Sequence, residues 1–305
     1  MKKVLVIGGL TATGKSDLAI ELAKKFNGEI LSVDSVAVYK QLTIASAKPS
    51  ILQQKEITHY GIDIADVSKP ISVKEFVDYA HQAINTISEK GKLPILVGGS
   101  GLYLKAILYD YSFLNETQDE TASEWAENMD NATLHNMLAN IDVQQANMIH
   151  PNNRKRLIRA LTIAKKHNIN KTDLINKQSK SLQYDAFLVF LDCDRDVLWQ
   201  RINQRVDKMI AQGLEQEIVE ASKIADWSAS SMSAIGVKEW KEYFNQTQDY
   251  AMTIDQIKTK TRQFSKRQRT WFKHQFDGIW IDSQNQQELQ ELLKRIEQWK
   301  VHLTE

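Results

Sequence analysis

The stretch VLVIGGLTATGKSDLAIELAKKF, residues 4–26, holds three signals in succession. An apolar run from Val4 to Ile7 reads as a buried strand, a glycine-bounded loop follows, and apolar residues then recur at helical spacing to Phe26. Inside it, Gly9 to Ser16 (GLTATGKS) fits the pattern G-x-x-x-x-G-K-[ST] in the strand–loop–helix context that pattern requires. The glycines let backbone N–H groups converge on phosphate oxygens, and the helix start adds partial positive charge. Lys15 adds a full charge, and the Ser16 hydroxyl suits Mg²⁺. Gly9, Thr11, Ala12, Thr13, Gly14, Lys15 and Ser16 are therefore expected to hold a diphosphate-like group. The Thr11 and Thr13 hydroxyls either join those contacts or face solvent.

Working outward, further Val-, Ile- and Leu-rich runs read as buried parallel strands: Glu29 to Val33, Pro94 to Val97, Phe187 to Leu191 and Ile279 to Ile281. Helical-period segments separate them at Val73 to Glu89, Arg195 to Gln212 and Gln284 to Trp299. The alternation implies a doubly wound α/β fold with a parallel sheet. Between Tyr111 and Tyr184 the sequence turns polar and helix-compatible, first acidic and then basic, with no strand candidate. That pattern predicts a core of residues 1–111 and 185–305 carrying an all-helical insertion, 112–184.

The whole-chain balance is ordinary: 305 residues, 42% hydrophobic and 25% charged, with a formal net charge of +1. No global field attracts a polyanion, so any electrostatic message is local. A single cysteine, Cys193, excludes an intrachain disulfide and a Cys-rich zinc site, and reads as a small buried apolar residue. The amino-terminal apolar run ends at Gly8, too soon for a secretory signal, and no run is long enough to span a membrane. The expectation is a cytoplasmic protein.

Kinases, ATPases and GTPases share the opening loop and also need a magnesium-binding carboxylate. The natural strand for one, PILVGGSGLY, ends in Gly98, Gly99 and Ser100 with no acid, which argues against an ATPase. A carboxylate instead ends the second strand: Asp34 falls at the carboxyl edge of the sheet, where such folds bind ligands. It reads as a metal ligand, as a general base, or as a cap of the turn that follows. Two basic stretches stand out against the neutral total. Arg154 to Lys166 and Lys258 to Lys273 carry no acid, and the second interleaves Phe264, Trp271 and Phe272 with its cations. Each reads as a phosphate-backbone contact or as a solvated helix face. Trp271 and Phe272 are expected to anchor the last long helix to the sheet.

The ordered series GLTATGKS, SVDSVAVYKQLTIASAKPS, HYGIDI, LPILVGGSGLYLKAIL, IHPNNRKRLIRAL, RINQRVDKMIAQGLEQEI, SAIGVKEW and TRQFSKRQRTWF spans nearly the whole chain. It resembles the tRNA dimethylallyltransferase family, the bacterial tRNA isopentenyltransferases. The resemblance implies a nucleotide-kinase-like P-loop core with an inserted helical domain that closes on tRNA. It implies transfer of a dimethylallyl group from dimethylallyl diphosphate to N6 of the adenosine just 3′ of the anticodon, in tRNAs that read codons beginning with U. Diphosphate leaves and Mg²⁺ is the cofactor. The partners it implies are the tRNA anticodon stem-loop and the prenyl diphosphate, with no membrane, and the chain is expected to be a monomer.

Under that resemblance Asp34, Ser100 and Lys15 become the catalytic candidates: Asp34 as base for the adenine amine, Lys15 on the leaving diphosphate, and Ser100 either hydrogen-bonding the diphosphate or capping a helix. Ser16 is the metal ligand. Matching positions that would touch tRNA are Asp34, Ser35, Val36 and Ala37; Lys155, Arg156, Leu157, Ile158 and Arg159; and Ile235, Gly236 and Lys238. The target base is expected to be flipped from its stack into a channel between core and insertion.

The chain departs from the family at Ala37, where Gln is usual, at Tyr60, where His is usual, and at Val237, where Tyr is usual. The stretch Asn115 to Asp130 lacks the cation the family places there, which leaves Arg205 as a candidate for the second phosphate. Two other readings remain open. One is an adenylate isopentenyltransferase acting on free AMP or ADP, which would not need the basic insertion. The other is a P-loop small-molecule kinase with Asp34 as base for a hydroxyl.

Overall fold

The computed structural model describes residues 1–109, 124–167, 169–176 and 181–301. Six strands form one sheet: β1 (Lys3–Gly9), β2 (Gly28–Ser32), β3 (His59–Tyr60), β4 (Leu93–Val97), β5 (Asp185–Asp192) and β6 (Ile279–Asp282). Every pairing is parallel, in the order β3-β2-β4-β1-β5-β6. β1 is central, with Leu5 opposite both Ile95 of β4 and Phe187 of β5. Five of the strands coincide with the apolar runs. β3 pairs only through His59 and Tyr60 at the edge, too short to leave a period in the sequence.

The central strands β1 and β4 are buried on both faces, so their residues are apolar without alternation. On one face Leu5, Ile7, Ile95, Val97, Val189 and Leu191 pack against the helices Lys15–Phe26 and Gln286–Val301. On the other lie the helices Val73–Glu89 and Tyr250–Gln275, which bring the fully buried Phe76 and Phe272 to the sheet. Phe272 meets Phe190 of β5 at a centroid separation of 5.1 Å, so it is the expected core anchor. Trp271 packs over Gly101. Cys193 is buried against Leu10, Leu198 and Ile202, as a small apolar residue would be.

The chain divides into two compact units, Met1–Leu108 with Leu182–Glu305, and Tyr109–Ser181. The described part of the second unit is helical: Asn131–Ile141, Val143–Met148, Arg154–His167 and Lys171–Asn176. Its core gathers Ala126, Leu134, Leu138, Ile149, Leu157 and Leu161. Glu116, Asp119 and Glu120 of the acidic run lie outside the described residues.

Two basic-stretch expectations need correction. Arg154 is engaged inside its own unit: Nη1 donates to the Met129 carbonyl at 2.6 Å and Nη2 to the Ala126 carbonyl, so the guanidinium ties the start of the helix Arg154–His167 to the segment around 126–129. In the second stretch most cations already have partners inside the core unit. Arg269 donates to the Asp192 carboxylate at 2.9 Å, Arg262 to Asn203 Oδ1 at 2.7 Å, and Lys258 pairs with Asp207 at 2.5 Å. Lys273 lies 5.3 Å from the centre of the Trp280 ring. That segment is a helix fastened across the sheet edge, and its charge reflects this fastening.

Candidate active site at the carboxyl edge of the sheet

β1 ends in the phosphate loop, whose backbone is shaped for concave presentation of N–H groups. Gly14 has φ 83° immediately before the helix Lys15–Phe26, and Ala12 has φ 62°, a left-handed conformation that a residue with a Cβ adopts rarely. Thr13 corrects one expectation. Its hydroxyl donates to the Leu10 carbonyl at 2.8 Å and the side chain is buried, so it braces the loop from within. The Thr11 N–H is held by Gln268 at 2.9 Å. Lys15 Nζ folds back onto the Leu10 carbonyl. Burial, with Arg205 adding repulsion and Asp34 opposing both, lowers the Lys15 ammonium to a pKa of about 7.

Asp34 follows β2 by two residues. Gly98, at the end of β4, makes that approach possible, since a Cβ there would collide with the Val33 carbonyl. Asp34 Oδ1 accepts the N–H groups of Val36 at 2.8 Å and Ala37 at 3.2 Å. The turn-capping and functional readings therefore coexist: one oxygen fixes the turn, and Oδ2 has no hydrogen bond among the described residues. Ser100 Oγ accepts the Ser35 N–H at 3.0 Å, so its hydroxyl faces this turn across the edge rather than its own helix.

The loop, Asp34 and Ser100 line one cavity of about 1280 Å³, together with Arg201, Arg205 and Lys208 from the helix Arg195–Ala211. The volume exceeds the roughly 300–1,000 Å³ usual for one small ligand, which leaves room for two reactants. Arg205, the candidate for the cation absent from 115–130, lines this cavity, while Arg201 and Lys208 escaped the sequence reading. All three recur at helical spacing (201, 205, 208), which was legible in RINQRVDK had the strand-edge position of that helix been known. Gln268, inside the basic stretch, also escaped. Asp192 at the end of β5 is taken by Arg269, so it does not replace the absent acid after β4.

Among the tRNA candidates, exposure separates the segments. Lys155, Arg156 and Arg159 are exposed and Ile158 partly so, but Leu157 is fully buried in the insertion core and presents no side chain to a partner. Arg156 and Arg159 stand close enough to Lys171 that, after burial, their charges lower its pKa further. The result is a cationic cluster to which Lys171, absent from the sequence reading, belongs. Ser35 is exposed and Val36 partly so, whereas Ala37 is buried. Lys238 is exposed and Ile235 partly so, but the buried Gly236 donates its N–H to Glu239 at 2.8 Å. Burial raises the Glu239 carboxyl above its ordinary value.

A phosphate loop with no acid after β4 and with Asp192 of β5 taken by Arg269, lining one cavity with the Asp34 carboxylate, fits a P-loop α/β transferase. The model of the IPP transferase family matches residues 37–275. A tRNA dimethylallyltransferase of Bacillus cytotoxicus is 41% identical over 300 residues, which are 97% of this chain and 95% of that protein. The crystal structure of a tRNA isopentenylpyrophosphate transferase from Staphylococcus epidermidis superposes with a TM-score of 0.72 at 36% identity, covering 98% of this chain and 99% of that one. A eukaryotic dimethylallyltransferase crystallised acting on tRNA gives a TM-score of 0.79 at 30% identity, over 93% of this chain and 74% of that one. The chain belongs to the IPP transferase family, whose members here are named tRNA dimethylallyltransferases. Among the described residues no helix is long and apolar enough to cross a membrane.

Proposed function

We propose that this protein transfers a dimethylallyl group from dimethylallyl diphosphate to N6 of the adenosine just 3′ of the anticodon, in tRNAs reading codons that begin with U, and releases diphosphate. The observation that carries the reading is Asp34 Oδ2, which has no hydrogen bond among the described residues and lies in the cavity that the phosphate loop and Arg205 line. An adenine amine has its lone pair drawn into the ring, so attack on the allylic carbon gains from a base. N6 forms its bond to C1 of the prenyl group, the C1–O bond breaks with its electron pair leaving on the diphosphate, and the N6 proton passes to Asp34.

The charge that develops on the leaving diphosphate would meet the loop N–H groups that Gln268 leaves open, Arg205, and Lys15 once its amine turns from the Leu10 carbonyl. Ser16 is exposed at the first helical turn and its hydroxyl has no partner among the described residues. That donor fits Mg²⁺, which takes few protein ligands and completes its shell with phosphate oxygens and water. When bound, Mg²⁺ supplies further positive charge to the leaving group. The exposed cations Lys155, Arg156, Arg159 and Lys238 would bind the tRNA backbone, and the protein would act as a monomer.

One incubation tests the reading: labelled dimethylallyl diphosphate and Mg²⁺ with unmodified tRNA, with free AMP, or with ATP and no acceptor. Label in tRNA alone is the expected result. Label in AMP would convert the assignment to an adenylate isopentenyltransferase, and ATP hydrolysis without prenyl transfer would overturn it.

A further inference from the structure

The helix Tyr250–Gln275 lays one buried amide across the carboxyl edge of the sheet. Gln268 is 5% exposed, its Oε1 accepts the Thr11 N–H at 2.9 Å, and its Nε2 donates to the Gly99 carbonyl at 3.0 Å. One end of the amide therefore holds the phosphate loop and the other holds the loop after β4. The next residue of that second loop, Ser100, accepts the Ser35 N–H at 3.0 Å and donates to Ser35 Oγ at 3.3 Å. Ser35 adjoins Asp34, whose Oδ1 is fixed by two backbone N–H groups. A chain of hydrogen bonds and single backbone steps thus runs from the seat of the diphosphate to the base.

Gln268 itself is fixed on both sides. Its neighbour Arg269 is forked onto Asp192, through Nε at 2.9 Å and Nη2 at 2.5 Å. Gly99 has no Cβ, and one there would collide with the Gln268 amide. A side chain so placed does more than fill space, because a shorter or apolar one leaves an N–H and a carbonyl facing each other across a gap neither can close.

We propose that Gln268 is a positioning residue that sets the separation between the phosphate loop and Asp34. The proposal rests on the transferase reading. Displacement at an allylic carbon requires donor and acceptor within about 3–3.5 Å and in line, and small misplacements of one against the other lower the rate steeply. Gln268 touches neither reactant; it acts through the two loops that do.

The test compares wild type with Gln268→Met, near-isosteric and a good helix former, and Gln268→Glu, which keeps the acceptor for Thr11 and loses the donor to Gly99. Expected is a fall in kcat of about 10–100-fold for Gln268→Met and at least about tenfold for Gln268→Glu, with KM for both substrates within about threefold and Tm nearly unchanged. A kcat within twofold of wild type, or a loss that vanishes when the assay is cooled well below Tm, overturns the proposal. A second measurement does not depend on turnover: the Thr11 amide of Gln268→Met should exchange with solvent at least about tenfold faster than in wild type. Unchanged exchange also overturns it. Absence of prenyl transfer by the wild type refutes the functional reading instead, and leaves the exchange measurement to decide the role of Gln268.

Discussion

Because Lys15 has a pKa of about 7 before substrate arrives, diphosphate binding should draw a proton from solution. The ammonium is disfavoured by burial and by Arg205, and a bound diphosphate reverses both effects by placing anionic oxygens beside Nζ. At pH 8 a group of pKa 7 is about one-tenth protonated, so restoring its charge takes up about 0.9 proton per site; at pH 6 the uptake falls to about 0.1. The sign is fixed by the direction of the shift. A lysine whose folded-state pKa is lowered binds fewer protons than the unfolded chain between about pH 7 and 10.5, so the empty fold gains stability as pH rises through that window. Affinity for the diphosphate moves the opposite way, weakening by up to about tenfold per pH unit above 7.

Titration calorimetry of dimethylallyl diphosphate at pH 8, repeated in buffers of different ionisation enthalpy, measures the uptake directly. Lys15→Arg, charged at every accessible pH, should bind without it. An uptake below about 0.3 proton in wild type, or an equal uptake in Lys15→Arg, would refute the argument.

Two further outcomes follow from the same geometry. In Asp34→Asn the amide oxygen can still accept the Val36 and Ala37 N–H groups, so the turn survives while the proton acceptor is lost. Transfer should drop by about 10²–10⁴-fold with tRNA and diphosphate binding largely kept, and near-normal turnover would remove Asp34 from the chemistry. Replacing Arg156 and Arg159 by Gln should lower the slope of log affinity for tRNA against log salt by about 1.4–1.8, and an unchanged slope would place that cluster away from the RNA.

The amino-terminal stretch yielded the phosphate loop and the sheet together because β1 is buried on both faces and so reads as an unbroken apolar run, and the loop needs fixed residue types at fixed offsets. Asp34 was legible for a related reason: polar residues that end buried strands stand out. The helices Val73–Glu89 and Lys15–Phe26 were likewise written in their spacing, the first within a capping box of Ser72 and Glu75. What stayed hidden depends on tertiary neighbours. Thr13 and Leu157 sit in functional-looking segments yet face inward, and Arg154, Arg262 and Arg269 are part-buried cations with partners inside their own units, in runs where Lys155, Arg156, Lys266 and Arg267 are exposed. Gln268 is a polar residue among cations, and only the fold puts it 2.9 Å from Thr11. Composition reports that charge is present, whereas the direction of each side chain is decided by helix phase against the sheet.

The contact between Thr11 and Gln268 joins residues 257 positions apart, and Glu217 reaches back 174 positions to the Thr43 N–H. A ribosome adding about 5–20 residues per second makes the phosphate loop roughly 10–50 s before it makes the residue that braces it. β1 also waits for β5, its neighbour in the sheet, until the intervening unit has been synthesised. The nascent chain thus carries an early, glycine-rich anion site that is not yet fastened to its base. The loop therefore gains its Gln268 brace only when the helix Tyr250–Gln275, near the end of the chain, has been made.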